Sequence, residues 1–184
     1  ADMAAALVQQ IGSQGGRAVA LKLNMSDFGS IGAFVHAFTA ALGSNFGTDK
    51  FDFLVNNAGA IPQGTVVSLD ETSWRKAWDL KVWGFINLTR EYYARMARKQ
   101  SGVIVNIIGM AGAAPRYEYI CGSTANAALM AFTKALGTGI HAPANWHGVW
   151  VQNLRSGRPV LEFSPALRAL LEARGIRCAH LSIT

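Results

Sequence analysis

The sequence predicts an α/β fold built on a parallel, doubly wound sheet, and three observations carry that expectation. Short, apolar, β-rich runs alternate with longer segments of helical period, the pattern of strand–helix–strand units. One such run, Phe51-Asp52-Phe53-Leu54-Val55, ends abruptly in Asn56-Asn57-Ala58-Gly59. A buried strand reads this way when its carboxyl end delivers polar groups to a ligand, and in open α/β sheets ligands sit at that end. The 184 residues are 51% apolar and 15% charged, which suits one domain with a sizeable core and argues against disorder.

The elements follow in order. Residues 2–12 read as a helix ending at Gly12. Arg17 to Leu23 alternates around Val19, Leu21 and Leu23 and reads as a strand. Ser26 or Asp27 caps the next helix, which runs to about Leu42 and stops at Gly43. Residues 51–55 form a strand. Ser68 followed by Glu71 has the form of a capping box, and the helical pattern after it continues to about Arg98, with a break near residues 80–82. Trp74 and Trp78 share a face of that helix, which fits core or interface. Residues 103–107 read as a strand, 118–136 as a helix ended by Gly137, and Val149 to Leu154 as a further strand. Ser164 caps a short helix with Pro165 at its first position; Gly175 ends it, and Ile176 to Ile183 has strand character.

Composition narrows the function classes. The net charge is +6, with Arg90, Arg95, Arg98 and Lys99 densest at a helix C-terminus, where cations offset the dipole. No nucleic-acid motif accompanies that charge, so it reads as a solvated surface. No apolar run reaches the length of a membrane span, and no basic-then-apolar segment opens the chain. Cys121 and Cys178 are isolated thiols, and His36, His141, His147 and His180 lack metal-ligand spacing. A reduced, cytoplasmic protein without a metal site is the expectation.

The Asn56-Asn57-Ala58-Gly59 turn resembles the Asn-Asn-Ala-Gly of the short-chain dehydrogenase/reductase family. Gly102-Val103-Ile104-Val105-Asn106-Ile107-Ile108-Gly109 is similar to that family's fifth strand, and Asn126-Ala127-Ala128-Leu129 opens a stretch similar to the helix after it. Asp79-Leu80-Lys81-Val82-Trp83-Gly84-Phe85-Ile86-Asn87-Leu88-Thr89-Arg90 resembles its long central helix. The resemblance covers residues 17 to about 140; within a single domain of 1–184, residues 141–184 diverge. It implies a three-layer Rossmann-type sandwich of strand order 3-2-1-4-5-6. Here the first βαβ portion and its glycine-rich, phosphate-holding turn are absent from the pattern. The strands at 17–23 and 51–55 would then be separated by the place of two missing strands, and the edge at 51–55 would be exposed. A fragment of a longer protein and a truncated product are both open.

The resemblance also implies chemistry: NAD(P)-dependent hydride transfer between a small-molecule alcohol and its carbonyl, in a homodimer or homotetramer formed through the helices at 69–99 and 118–136. Trp74, Trp78 and Trp83 lie in the first of these. The cofactor is NAD or NADP. In the family a Tyr exchanges a proton with the substrate oxygen, a Lys four residues later lowers the Tyr pKa, and a Ser and an Asn assist. Two registers fit. Anchoring on Asn126 puts Asn126 in the Lys slot, Gly122 in the Tyr slot and Gly109 in the Ser slot; anchoring on Tyr119 puts Ser123 in the Lys slot. Lys81 occupies the slot of the relay Asn. Tyr119, Ser123 and Asn126 fall on one helix face, so Tyr119 is the candidate proton donor and Lys81 the candidate cation. Asn57, Ala58 and Gly59 correspond to the ribose side of the cofactor site, and Asn24 to a residue that touches adenine. The competing expectation is a catalytically impaired or non-catalytic subunit, since the usual Tyr-x-x-x-Lys is missing.

Overall fold

The computed structural model describes residues 2–99, 102–137 and 147–153. In chain order the elements are α1 (Asp2–Ser13), α2 (Phe28–Ala41), β1 (Phe53–Asn56), α3 (Glu71–Trp78), α4 (Gly84–Lys99), β2 (Val103–Gly109), α5 (Ile120–Gly137) and β3 (His147–Asn153). The three strands form one parallel sheet of order β1-β2-β3, with Phe53 beside Val103 and Val103 beside His147. Parallel neighbours need helical crossovers, and α3–α4 and α5 supply them. This is a Rossmann-type α/β arrangement. The expected helix at 164–175 and strand at 176–183 lie outside the described residues.

Local chemistry fixes the helix ends, and several differ from the sequence expectation. Gly12 does not end α1. The left-handed residue is Gly15 (φ 80°), and the Gly16 N–H closes the end onto the Ile11 carbonyl at 2.9 Å. Asp27 caps α2, accepting the Gly29 N–H at 2.9 Å, while Ser26 gives its own N–H to Asn24. The chain does not stop at Gly43; a π-helical turn spans Leu42–Phe46 and Gly47 (φ 66°) ends it. Ser68 is not the cap of α3. Asp70 takes that place, accepting the Ser73 N–H at 2.6 Å, because a carboxylate suits the positive helix end better than a hydroxyl. Those bonds hold the Asp70 carboxyl below its ordinary pKa. Glu71 is spent on Arg75 one turn on. The expected break near 80–82 is a π-helical turn, Asp79–Trp83, between α3 and α4.

Residues 17–23 do not join the sheet. They carry no regular secondary structure among the described residues, and Val19 and Leu21 are about two-fifths exposed. Among the described residues no strand pairs with this segment, so its alternating pattern has no backbone partner to meet.

The core lies between α2, α4 and the sheet. Phe85, Leu88, Tyr92 and Met96 recur on one face of α4 and are buried; Ile108 of β2 and Leu129 of α5 join the first three, and Met96 packs with Ile104 of β2. Phe38 of α2 meets Phe51 and Tyr92 edge-to-face at 5.3 and 5.2 Å between centroids. Gly84 is required for close approach: a Cβ there would lie 3.1 Å from Met25 Cβ and 3.2 Å from its carbonyl oxygen. Trp78 packs on this core, whereas Trp83 is half exposed.

The Tyr92 hydroxyl is buried with no hydrogen-bond partner. Burial raises its pKa well above the ordinary value of 10; Arg95 acts against this and Glu91 with it. The unfolded phenol therefore ionises first. Its share of stability is full below about pH 10 and is lost as pH rises above that. Tyr92→Phe is expected to change unfolding free energy by no more than about 1 kcal/mol near neutrality. It should also decline less in urea denaturation at alkaline pH. An equal alkaline decline in both proteins would refute the assignment.

Candidate functional site

The site forms at the carboxyl ends of β1 and β2, and a buried amide pair fixes that end of the sheet. Asn56 and Asn106 are register partners, both almost wholly inaccessible. Asn56 Nδ2 donates to Asn106 Oδ1 at 2.8 Å and lies 3.2 Å from Thr89 Oγ1 of α4. Asn106 Nδ2 donates to Thr133 Oγ1 of α5 at 2.9 Å, and that hydroxyl donates to the Leu129 carbonyl at 2.7 Å. Two strands and two helices are thereby tied together just below the Asn57-Ala58-Gly59 turn. Sequence reasoning passed over Asn106, Thr89 and Thr133. The signal available was that both strands carry a Val-Asn pair, Val55-Asn56 and Val105-Asn106.

The ribose-side candidates are open. Asn57, Ala58 and Gly59 are exposed past the end of β1, and the Asn57 amide has no partner among the described residues. Gly59 is bare because a Cβ there would sit 3.0 Å from Lys81 Cδ and 3.4 Å from its Nζ. The structure thus brings Lys81, from the π-helical turn, onto the Asn-Asn-Ala-Gly segment. Burial lowers the Lys81 pKa from its ordinary 10.5, and no carboxylate offsets this among the described residues. Its ammonium lies 5.8 Å from the Phe85 ring centroid. Asn24 is exposed, with its Oδ1 taken by the Ser26 N–H at 3.2 Å; its Nδ2 remains a donor.

Tyr119 stands at the start of α5. Gly64 holds it there by accepting the Ile120 N–H at 3.4 Å and donating to the Glu118 carbonyl at 2.8 Å. The Tyr119 ring lies over Gly122, the residue in the family's Tyr slot by the first register. A Cβ on Gly122 would overlap Cε1 and Cζ of the ring and lie 2.6 Å from the hydroxyl. The aromatic ring therefore fills the space of the missing side chain. Burial raises the Tyr119 pKa, Cys121 adds to this, and Arg116, 5.5 Å from the ring centroid, acts against it.

Ser123 and Asn126 are committed to the protein. Ser123 Oγ accepts the Arg116 N–H at 3.0 Å and so pins the loop before α5. Asn126 Oδ1 accepts the Gly109 N–H at 2.9 Å while its Nδ2 donates to the Gly122 carbonyl at 2.7 Å. Asn126 thus joins the end of β2 to the first turn of α5. Gly109 and Gly112 make room for this: a Cβ on Gly109 would lie 3.0 Å from Asn126 Nδ2, and one on Gly112 would lie 2.7 Å from the Asn126 carbonyl carbon. No hydrogen bond joins Lys81 to Tyr119 or Asn126 among the described residues. No cluster of three or more potential metal ligands occurs among them, and no helix is long and apolar enough to cross a membrane.

Comparison with known proteins bears on this geometry. The family model described as short chain dehydrogenase matches residues 1–157. The chain belongs to the short-chain dehydrogenase family. The 3-oxoacyl-(acyl-carrier-protein) reductase FabG of Staphylococcus aureus is 28% identical over 112 residues, which cover 61% of this chain and 43% of that protein. A separate similarity links 54 residues, at 48% identity, to the holo-(acyl-carrier-protein) synthase of Acidovorax sp., covering 29% of this chain and 41% of that protein. Among solved structures, a gluconate 5-dehydrogenase from Burkholderia cenocepacia, in complex with NADP and tartrate, superposes with a TM-score of 0.72 at 19% identity. The match covers 82% of this chain and 56% of that one. The chain thus spans about two-fifths of the curated relatives it matches.

Asn126→Leu would strand the Gly109 N–H, while the Gly122 carbonyl keeps the Asn126 backbone N–H one helical turn on. A loss of about 1–3 kcal/mol is expected, read as a lowered midpoint with unchanged slope in urea unfolding. A change below about 0.5 kcal/mol would mean that Asn126 does not hold the two elements together.

Proposed function

We propose that the chain carries the catalytic part of an NAD(P)-dependent oxidoreductase that interconverts a small-molecule alcohol and its carbonyl. Family membership supports the class of reaction. The observation that carries the reading is the Tyr119 ring seated over Gly122, next to the element that Asn126 ties to β2.

The residues fit a pyridine nucleotide at the end of β1. Asn57 offers an exposed amide, Ala58 is small, and Gly59 leaves room for the Lys81 stem beside them. These three residues would hold the ribose side, with Asn24 Nδ2 available to adenine. When bound, the nicotinamide supplies or takes the hydride; NAD and NADP both remain compatible. Tyr119 holds a proton at its hydroxyl, kept neutral by burial, and donates it to the substrate oxygen in reduction. Lys81 is the cation that favours the phenolate left behind. Ser123 and Asn126 act by fixing the loop and helix on which Tyr119 stands. On this reading the working protein is a cytoplasmic homodimer or homotetramer, with α3–α4 and α5 as the contact helices and exposed Trp83 on that surface.

A second reading has observations of its own. The hydroxyl of Ser123 and the amide of Asn126 are already satisfied internally. A 54-residue stretch of the chain is also 48% identical to a synthase of another kind. Both favour a composite chain that acts as a non-catalytic subunit or truncated product.

Thermal unfolding with and without millimolar NADH or NADPH tests binding first. A shift of several degrees, worth about 1–3 kcal/mol of linkage, is expected with one nucleotide. Lys81→Met and Tyr119→Phe should then each lower turnover about 100-fold or more while leaving the transition cooperative. Full activity in Lys81→Met would sink the mechanism, and a cooperative transition unmoved by either nucleotide would favour the second reading.

A further inference from the structure

An open cleft of about 310 Å³ lies at the amino end of β1, the opposite end from the Asn57-Ala58-Gly59 turn. It is formed by α2, the segment before β1 and the last turns of α4. Lys50, Arg95, Arg98 and Lys99 line it, and Asp49 is the one carboxylate in the described lining. The structure thus regroups the charge that the sequence places at the end of α4. Arg90 does not line the cleft, and Lys50 joins it from a loop remote in sequence.

Two of the four cations are held in place. Arg95 Nη1 donates to Thr39 Oγ1 at 3.0 Å, and that hydroxyl donates in turn to the Val35 carbonyl at 2.8 Å. Lys99 Nζ donates to the Asp52 carboxylate at 2.8 Å and to the Phe51 carbonyl at 3.2 Å. The side chains of Lys50 and Arg98 have no hydrogen-bond or ion-pair partner among the described residues, and Arg95 has no carboxylate there. Offsetting the helix dipole accounts for Arg98 and Lys99, in the last turn of α4. It does not account for Lys50, which lies on no helix, or for Arg95, which a side-chain bond ties across to α2. Cations gathered without matching carboxylates repel one another, and long side chains relieve this by spreading into water unless an anion stands between them.

We infer that this cleft is a binding site for a small phosphate monoester, separate from the nucleotide site proposed above. Guanidinium groups present paired N–H donors to phosphate oxygens, and ammonium groups add point charges. Arg95 and Arg98 take the phosphoryl oxygens, with Lys50 and the remaining Lys99 donor beside them. The cleft is roomier than a bare phosphate ion requires, so the rest of the ligand is a compact organic group. A nucleic-acid strand fits less well, because Asp49 and Asp52 interrupt the basic surface and Arg90 does not extend it.

The probe is phenyl phosphate, with phenol as its uncharged counterpart. Each is titrated at constant ionic strength into the isotope-labelled 184-residue chain and followed by amide and arginine N–H shifts. Saturable shifts at Thr39, Lys50 and Arg98 are expected with a Kd of about 1 mM or tighter, and none there with phenol. Arg98→Gln and Lys50→Gln, both at exposed positions without partners in the described fold, should each weaken binding about fivefold or more. Arg90→Gln removes the same charge from the same helix outside the cleft and should change Kd by less than about twofold. No saturable shift up to about 20 mM phenyl phosphate would overturn the inference. So would equal weakening by Arg90→Gln and Arg98→Gln, or shifts centred on residues 57–59 instead. Binding of a polyglutamate peptide as tight as that of phenyl phosphate would also overturn it, marking the cleft as part of a surface for acidic polypeptides.

Discussion

The side-chain amide pair between Asn56 and Asn106 constrains the rest of the structure. It sits inside a parallel sheet, where an unpaired amide is costly, and its partners are the hydroxyls of Thr89 and Thr133. A one-residue slip of β1 against β2 would move Asn56 away from Asn106 and leave both amides without their partners in an apolar core. The network thereby selects one register and one seating of α4 and α5. Everything proposed for the site hangs from that selection: the Asn57-Ala58-Gly59 turn follows β1 directly, and Gly109, three residues past Asn106, is where Asn126 grips β2.

From that frame the candidate chemistry is placed by missing side chains as much as by present ones. Gly59 leaves room for the Lys81 stem, Gly122 leaves room for the Tyr119 ring, and Gly109 with Gly112 lets α5 close on the end of β2. In each case a methyl group would meet a neighbour at or inside contact distance. The two candidate reactive groups therefore depend on glycines, Gly59 past the end of β1 for Lys81 and Gly122 in the first turn of α5 for Tyr119, and the geometry tolerates substitution poorly at positions that carry no functional group.

Much of this was legible in the sequence, and the failures have physical causes. β1, β2, β3 and α5 follow from apolar runs bounded by glycine and polar turns, signals that tertiary context reinforces. The break expected near 80–82 falls on the π-helical turn Asp79–Trp83. The cap of α3 was misassigned since Ser68 and Glu71 match a short pattern, whereas Asp70 wins through a charge at a helix end that pattern matching does not weigh. Residues 17–23 have the alternation of a strand, but a strand exists only with a neighbour, and that information is not in the segment. The Asn56–Asn106 network was hidden for the same reason. Fifty residues separate its two amides, and only the register brings them together.

The π-helical turn at Asp79–Trp83 joins these threads. A helix continuous from Glu71 to Lys99 would satisfy its backbone at least cost, and the inserted turn departs from that. It also changes the phase between α3 and α4. Ala77 and Trp78 of α3 and the stripe Phe85, Leu88, Tyr92, Met96 of α4 can then both face the core. Local rules in folded chains are broken where a compensating gain exists. Here packing supplies one gain, and the position of Lys81 supplies the other. The turn carries a half-buried cation over the bare backbone of Gly59, where burial lowers its pKa and no carboxylate among the described residues neutralises it. A purely structural lysine at such a place would be better off at the surface, since its stem is long enough to reach water. The retained, desolvated charge beside an exposed Asn-Asn-Ala-Gly turn is therefore the feature of this fold that packing alone leaves unexplained and that an anionic or phenolic partner would account for.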